Sequence, residues 1–182
     1  MRVFMAINFN DSVKMELMHS ISLLKEHSIK GNFTRRENLH LTVAFIGEVA
    51  TNQMESLIQM MDKISFHPFG LELLELGKFQ NRDEALYYRK VECPEELLLY
   101  RQRLIGELKH AHFTVDEKEF IPHITLARRC IMMESFSKIN LGRQLHSTSM
   151  MVDEICLMKS EQINGELAYT KLYGSKAISM HG

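Results

Sequence analysis

The tetrapeptide His40-Leu41-Thr42-Val43 returns 83 residues later as His123-Ile124-Thr125-Leu126, and this recurrence restricts the fold more than any other feature of the chain. In an extended strand successive side chains alternate between faces, so the His and Thr of each copy share one face and the two aliphatic residues share the other. A lone His on a strand is ordinarily structural. With nine histidines in the chain and apolar residues near half of typical composition, two His-apolar-Thr-apolar strings arise by accident less than about once in a hundred chains.

The same offset superimposes the surroundings. Val3 to Phe9 falls on Leu86 to Glu92, two short runs rich in β-branched and aromatic residues, and both are predicted strands. Asp11 to His27 falls on Pro94 to His110, and both have helical apolar spacing, through Met15, Met18, Ile21 and Leu24 in the first and Leu98, Leu104 and Leu108 in the second. Asp11 or Ser12 is positioned to cap the first helix, and Pro94 followed by Glu95-Glu96 suits the first turn of the second. Each half therefore reads strand, helix, connection, His-Thr strand. This predicts an internal duplication of two β-α-β units about a pseudo-twofold axis, bringing the two His-Thr strands into one groove. The expected class is α+β, with residues 1–182 forming a single bilobal domain.

Around this core, Asn52 to Lys63 reads as a helix and Phe69 to Phe79 as a strand entering an Asn81-Arg82-Asp83 turn. Met150 to Met158 and Leu167 to Tyr173 read as strands, joined through Asn164-Gly165 into a terminal hairpin. Pro122 biases Ile121 toward extended backbone at the start of the second His-Thr strand, and Gly47 marks the end of the first.

At 182 residues and 45% apolar composition the chain can bury an ordinary core. A net charge of −1 argues against nucleic-acid binding through a broad electrostatic field. Positive potential must be local, and Arg35-Arg36 before the first motif and Arg128-Arg129 after the second are the candidates, ahead of Lys109 and His110. The cysteines Cys93, Cys130 and Cys156 lack Cys-x-x-Cys spacing, which predicts neither a disulfide framework nor a thiolate metal site and suits a reducing, cytoplasmic setting. The opening Met1-Arg2-Val3-Phe4-Met5 is a short strand pattern unlike a signal peptide, and no run is long enough to span a bilayer, so no membrane partner is expected.

Two imidazoles that titrate near neutrality, each beside a hydroxyl, are equipment for acid-base chemistry on a phosphate. The near symmetry of the halves leaves open which ring is the acid. A metal-dependent hydrolase using His40, His123 and His110 or His112 is the weaker reading, because the motifs lack a carboxylate or third His at ligand spacing. His19, His27, His67, His146 and His181 fall in helical or loop patterns and read as surface residues.

Three stretches carry a family pattern: Met1-Arg2-Val3-Phe4-Met5-Ala6-Ile7, then Asn38 through Glu48, then Pro122-His123-Ile124-Thr125-Leu126-Ala127-Arg128. With them the chain resembles the two-histidine phosphoesterases over nearly its whole length, most closely the RNA 2′,3′-cyclic phosphodiesterases, also described as 2′-5′ RNA ligases. Members of that family often carry Trp shortly before the first motif, where this chain has no Trp and has Phe33 nearby. The resemblance implies a bilobal fold whose antiparallel sheets line a central groove, no metal and no cofactor. It implies RNA ends or nucleotides bearing a 2′,3′-cyclic phosphate as substrate, a 2′-phosphomonoester as product, and no obligate protein partner. By the same resemblance His40 is the proton donor to the leaving ribose oxygen, His123 is the proton acceptor from the attacking water, and Thr42 and Thr125 hydrogen-bond the non-bridging oxygens. The family also has Arg at position 128 as a substrate-binding residue, although strict alternation from His123 puts Arg129 on that face. A twist or bulge must intervene if Arg128 is to serve. Run in reverse, the same imidazoles would join RNA ends through a 2′-5′ linkage, and they would equally cleave 2′,5′-oligonucleotides. A catalytically idle RNA-end-binding module has less need of two groups that titrate near neutrality.

Overall fold

The computed structural model describes residues 1–115, 119–134 and 145–178; His181 lies outside them. Strand β1 (Arg2–Asn8) is buried on both faces from Val3 to Ile7, as its unbroken apolar run requires. It lies inside a four-stranded sheet of order β3-β1-β8-β9, where β3 is His40–Glu48, β8 is Glu154–Ile163 and β9 is Glu166–Lys176. A second sheet has the order β2-β6-β5-β4-β7, made of β2 (Ser28–Phe33), β6 (His123–Met132), β5 (Glu84–Val91), β4 (Phe69–Asn81) and β7 (Ser149–Val152). The pairs within both sheets are antiparallel. The expected α+β architecture of two antiparallel sheets is therefore present, and the duplication is visible in it: β1 pairs with the His-Thr strand β3, and β5 pairs with the His-Thr strand β6.

Among the described residues three α-helices cover the sheets: α1 (Asp11–Glu26), α2 (Met54–Lys63) and α3 (Glu95–His110). The long ones are exchanged between halves, since α1 lies against β2 and β6 whereas α3 lies against β3. Val13, Leu17, Ile21 and Leu24 of α1, and Leu97, Tyr100, Leu104 and Leu108 of α3, are buried, and burial of a large apolar side chain contributes about 1.5–3 kcal/mol. These faces sit slightly to one side of the predicted ones: Met15 is 68% exposed and Leu98 47%. The α1 cap also moves back one residue, because Asn10 Oδ1, and not Asp11 or Ser12, accepts from the Val13 N–H at 3.0 Å. The shifted α1 face includes Glu16 and Ser20, which meet the buried Arg89 of β5. Arg89 donates to Glu16 at 3.2 Å, to the Ser20 hydroxyl at 3.1 Å and to the His146 carbonyl at 3.2 Å. An internal charge needs such partners.

Two further differences have physical causes. The predicted strand over Met150 to Met158 is broken at Asp153, where the chain leaves β7 in the second sheet and enters β8 in the first. Both pieces are β-like, so nothing local marks the crossing. Strand β2 falls in the segment read only as a connection. It is an edge strand with register shifts and Gly31 in its middle, features that erase the period of two. The Asn164-Gly165 hairpin forms as expected between β8 and β9, both turn residues having positive φ, 52° and 80°.

Candidate active site

The geometry of the site follows from one irregularity, repeated. In the β1–β3 ladder Ala6 pairs with Thr42 but Met5 pairs with Ala44, leaving Val43 as an extra residue. In the β5–β6 ladder Tyr88 pairs with Thr125 but Tyr87 pairs with Ala127, leaving Leu126 extra. Each bulge directly follows the motif threonine. The two bulges coincide under the offset that relates the histidines. Their carbonyls find donors elsewhere in the chain: Val43 O accepts from Arg101 Nε at 3.1 Å, and Leu126 O from the Thr34 N–H at 2.8 Å.

A bulge resets alternation. After it, two successive residues face the core, Val43-Ala44 in β3 and Leu126-Ala127 in β6, and the next residue returns to the groove side. In β6 that residue is Arg128, which lines the cleft together with His123 and Thr125, whereas Arg129 does not. Arg129 instead takes a positive φ of 49° at the next irregularity. The bulge thus puts Arg128 on the groove side, where strict alternation would put Arg129.

His40, Thr42, His123, Thr125 and Arg128 all line one cleft of about 650 Å³, a volume in the range of small-ligand sites. The two rings are held alike. His40 Nδ1 is 2.7 Å from the carbonyl of Asn38, and His123 Nδ1 is 2.7 Å from the carbonyl of Ile121. A carbonyl only accepts, so each Nδ1 carries the proton and donates it, which leaves each Nε2 clear of the backbone. His40 Nε2 lies 3.0 Å from the Thr42 hydroxyl.

Aromatic rings wall both imidazoles. His40 packs against Phe4, with centroids 4.9 Å apart, and Tyr169 at 5.0 Å, and these two rings also meet each other at 5.0 Å. His123 is met edgewise by Phe79 and Tyr88, each at 5.3 Å, which themselves stack at 4.5 Å. Burial lowers the pKa of His40 below the ordinary imidazole value; the Asn38 carbonyl opposes this, and the positive charges of Arg128 and His123 add to it.

A family model described as the 2′-5′ RNA ligase superfamily matches residues 11–164, the stretch that holds both motifs. The chain belongs to that superfamily. Relatives include the RNA 2′,3′-cyclic phosphodiesterase of Thermotoga maritima, 30% identical over 131 residues that make up 70% of each chain. The Methanocaldococcus jannaschii protein of the same name is 28% identical and covers 70% of this chain and 71% of its own. The Escherichia coli K12 protein of that name is 25% identical over 171 residues, 94% of this chain and 93% of its own. Escherichia coli LigT, solved in complex with 3′-AMP, superposes with a TM-score of 0.80 at 23% identity over 98% of each chain, so the fold is that of LigT.

In this superfamily member the rim of the cleft is closed by the segment before β3 and the β8–β9 hairpin. Arg35 bonds the Glu166 carboxylate and the Leu167 carbonyl, and Asn38 Nδ2 donates to the same carbonyl at 2.8 Å. These contacts tie the segment before β3 to the β8–β9 hairpin. Of the two flanking cation pairs, then, Arg35 and Arg128 line the cleft, while Arg36 is directed to Asp11 at 2.7 Å. Phe33, the residue standing near the position of the family Trp, also lines the cleft. Lys109, His110 and His112 lie at and just beyond the end of α3 and do not line it. Among the described residues no three His, Cys, Asp or Glu side chains converge as a metal-binding group. Also among them, no helix is long and apolar enough to cross a membrane. Of the aromatic walls only Tyr88 had a sequence signal, in Gly77, since a strand glycine marks close approach of a neighbour. A Cβ there would lie 2.4 Å from the Tyr88 ring.

Proposed function

We propose that the protein hydrolyses RNA 2′,3′-cyclic phosphodiester ends to 2′-phosphomonoesters, with His40 and His123 as the catalytic pair and no metal in the reaction. The observation that carries this reading is the presentation of two Nε2 atoms to one cleft by duplicated strands, each ring held through Nδ1 by a backbone carbonyl. It is supported by the names of the relatives above.

In the proposed cycle the cyclic phosphate lies between the rings. His123 Nε2 takes a proton from a water as its oxygen bonds to phosphorus. The bond from phosphorus to O3′ breaks, and O3′ takes a proton from His40 Nε2. The phosphate stays on O2′, and both imidazoles return to their starting states by exchanging protons with solvent. The Thr42 and Thr125 hydroxyls and the Arg128 guanidinium donate to the non-bridging oxygens, where negative charge builds in the transition state. The acid role of His40 is compatible with its lowered pKa because the incoming phosphate is an anion. Its charge offsets that of Arg128 and favours the imidazolium.

With the 5′-hydroxyl of a second RNA end attacking in place of water, the same steps give a 2′-5′ phosphodiester, which the two rings serve equally well; water in excess favours hydrolysis. A reducing, cytoplasmic setting belongs to the same proposal and agrees with free Cys93, Cys130 and Cys156. The test is turnover of a 2′,3′-cyclic-ended oligonucleotide in chelator, with the product phosphate assigned to O2′ or O3′. His40→Ala and His123→Ala should each lose roughly 10²–10⁴ in rate. Near-normal turnover by both variants, or activity abolished by the chelator, would sink the reading.

A further inference from the structure

The reaction cleft does not end at His40. A second cavity of about 530 Å³ adjoins it, sharing His40, Thr42 and Arg128, and runs along the first sheet away from His123 to Arg2, Phe45 and Ser160. Its far end is built by the same bulge that orients the reaction cleft. After Val43-Ala44 the first groove-side residue of β3 is Phe45, the counterpart of Arg128 under the duplication, and Phe45 remains 39% exposed. The Arg2 guanidinium lies over its ring, 5.0 Å from the centroid. Arg2 pairs with Ser160 across β1–β8, so both side chains share the groove face.

The charges are distributed unevenly. At the opposite rim Arg35 is matched by Glu37 and Glu166, and Arg36 by Asp11. Among the described residues no carboxylate forms an ion pair with Arg2, and the neighbouring Glu48 takes the N-terminal ammonium at 3.4 Å. This end of the groove therefore offers a guanidinium laid on an aromatic ring and in no ion pair among the described residues, beside a hydroxyl. That combination suits a nucleotide, with its base against a ring or a guanidinium plane and its phosphate on the cation. Arg2 stands four residues along β1 from Ala6, the partner of Thr42, which is about 13 Å at strand rise. The separation puts Arg2 beyond the phosphate held at Thr42, on the side of a neighbouring nucleotide.

We infer that the cavity bounded by Arg2, Phe45 and Ser160 is a subsite for the nucleotide on the 5′ side of the cyclic end, so that the preferred substrate is a single-stranded RNA chain and not a mononucleotide. The inference rests on the hydrolase reading above and goes beyond it by naming the residues that hold the penultimate nucleotide. In a single strand, one phosphate contact also predicts a salt dependence that the mononucleotide lacks.

The experiment compares kcat/KM for a nucleoside 2′,3′-cyclic phosphate with that for a dinucleotide ending in the same cyclic nucleoside, using the wild-type chain and the variants Arg2→Gln, Phe45→Ala and Phe45→Tyr. The wild type should favour the dinucleotide by about tenfold or more, the scale of one stacked base. Arg2→Gln and Phe45→Ala should each erase most of that preference while the mononucleotide value stays within about twofold. Phe45→Tyr should keep it. The slope of log kcat/KM against log salt for the dinucleotide should fall by about 0.7 in Arg2→Gln only. Equal use of both substrates by the wild type, or variants that weaken both substrates alike, would overturn the subsite while leaving the hydrolase reading intact. Failure of the wild type on both substrates would remove that reading, and the subsite with it.

Discussion

Burial and the nearby charges of Arg128 and His123 disfavour the imidazolium form of His40, against the pull of the Asn38 carbonyl. The sign of the effect can be tested. A proton donor works only while charged, so the basic limb of kcat/KM, which reports the free protein, should fall as pH rises through the lowered His40 pKa. In kcat, which reports the complex, the same limb should lie at higher pH because bound phosphate favours the charged ring. Arg128→Met removes a repelling charge, so the kcat/KM limb should shift upward while the rate itself drops. A pH profile on a cyclic mononucleotide checks both movements. An unmoved limb in Arg128→Met would mean that the titrating group is another one. The roles of the rings were legible in the sequence to this extent: the His-Thr pairing on one strand face could be read, but the acid and base could not be told apart without the resemblance.

At the scale of elements, the cross-strand Gly77–Tyr88 pair is the support of the second motif. A methyl at Gly77 would meet the Tyr88 ring at 2.4 Å, and that ring cannot retreat freely because it stacks on Phe79 and touches His123. Gly77→Ala should therefore cost about 1–3 kcal/mol of stability through overpacking. It should also lower kcat more than it raises KM, because His123 is displaced while the Thr42 side of the groove is not. Denaturant melts and steady-state kinetics separate the two effects. The paired strands β1 and β5, the His-Thr strands and the Asn-Gly hairpin were all readable from apolar pattern and turn chemistry. The aromatic walls were not. Tyr169 and Phe79 reach the histidines across strands remote in sequence, and β2 and the break at Asp153 depend on which sheet a segment joins, a choice that local pattern does not contain.

Across the whole molecule, the exchanged helices bind the halves into one another. Helix α1 begins in the first half yet covers β6, and its Glu16 and Ser20 hold the buried Arg89 of β5, which is 1% exposed. The expected outcome is one cooperative unfolding transition, with tyrosine fluorescence and far-ultraviolet circular dichroism coincident; two resolved transitions would mean separable lobes. Glu16→Ala leaves an internal guanidinium without its carboxylate and should lower the stability of that transition by about 3–5 kcal/mol. Both reporting signals should shift together.

In many acid-base sites the imidazole is steered by a carboxylate, and a single substitution of that partner disables the enzyme. Here the steering atoms are the peptide oxygens of Asn38 and Ile121, which no side-chain replacement deletes. A change of side chain at Asn38 or Ile121 therefore leaves the oxygen that steers the ring in place, provided the strand keeps its path. The steering survives any substitution at those two positions, a latitude that the histidines, the motif threonines and Arg128 do not share.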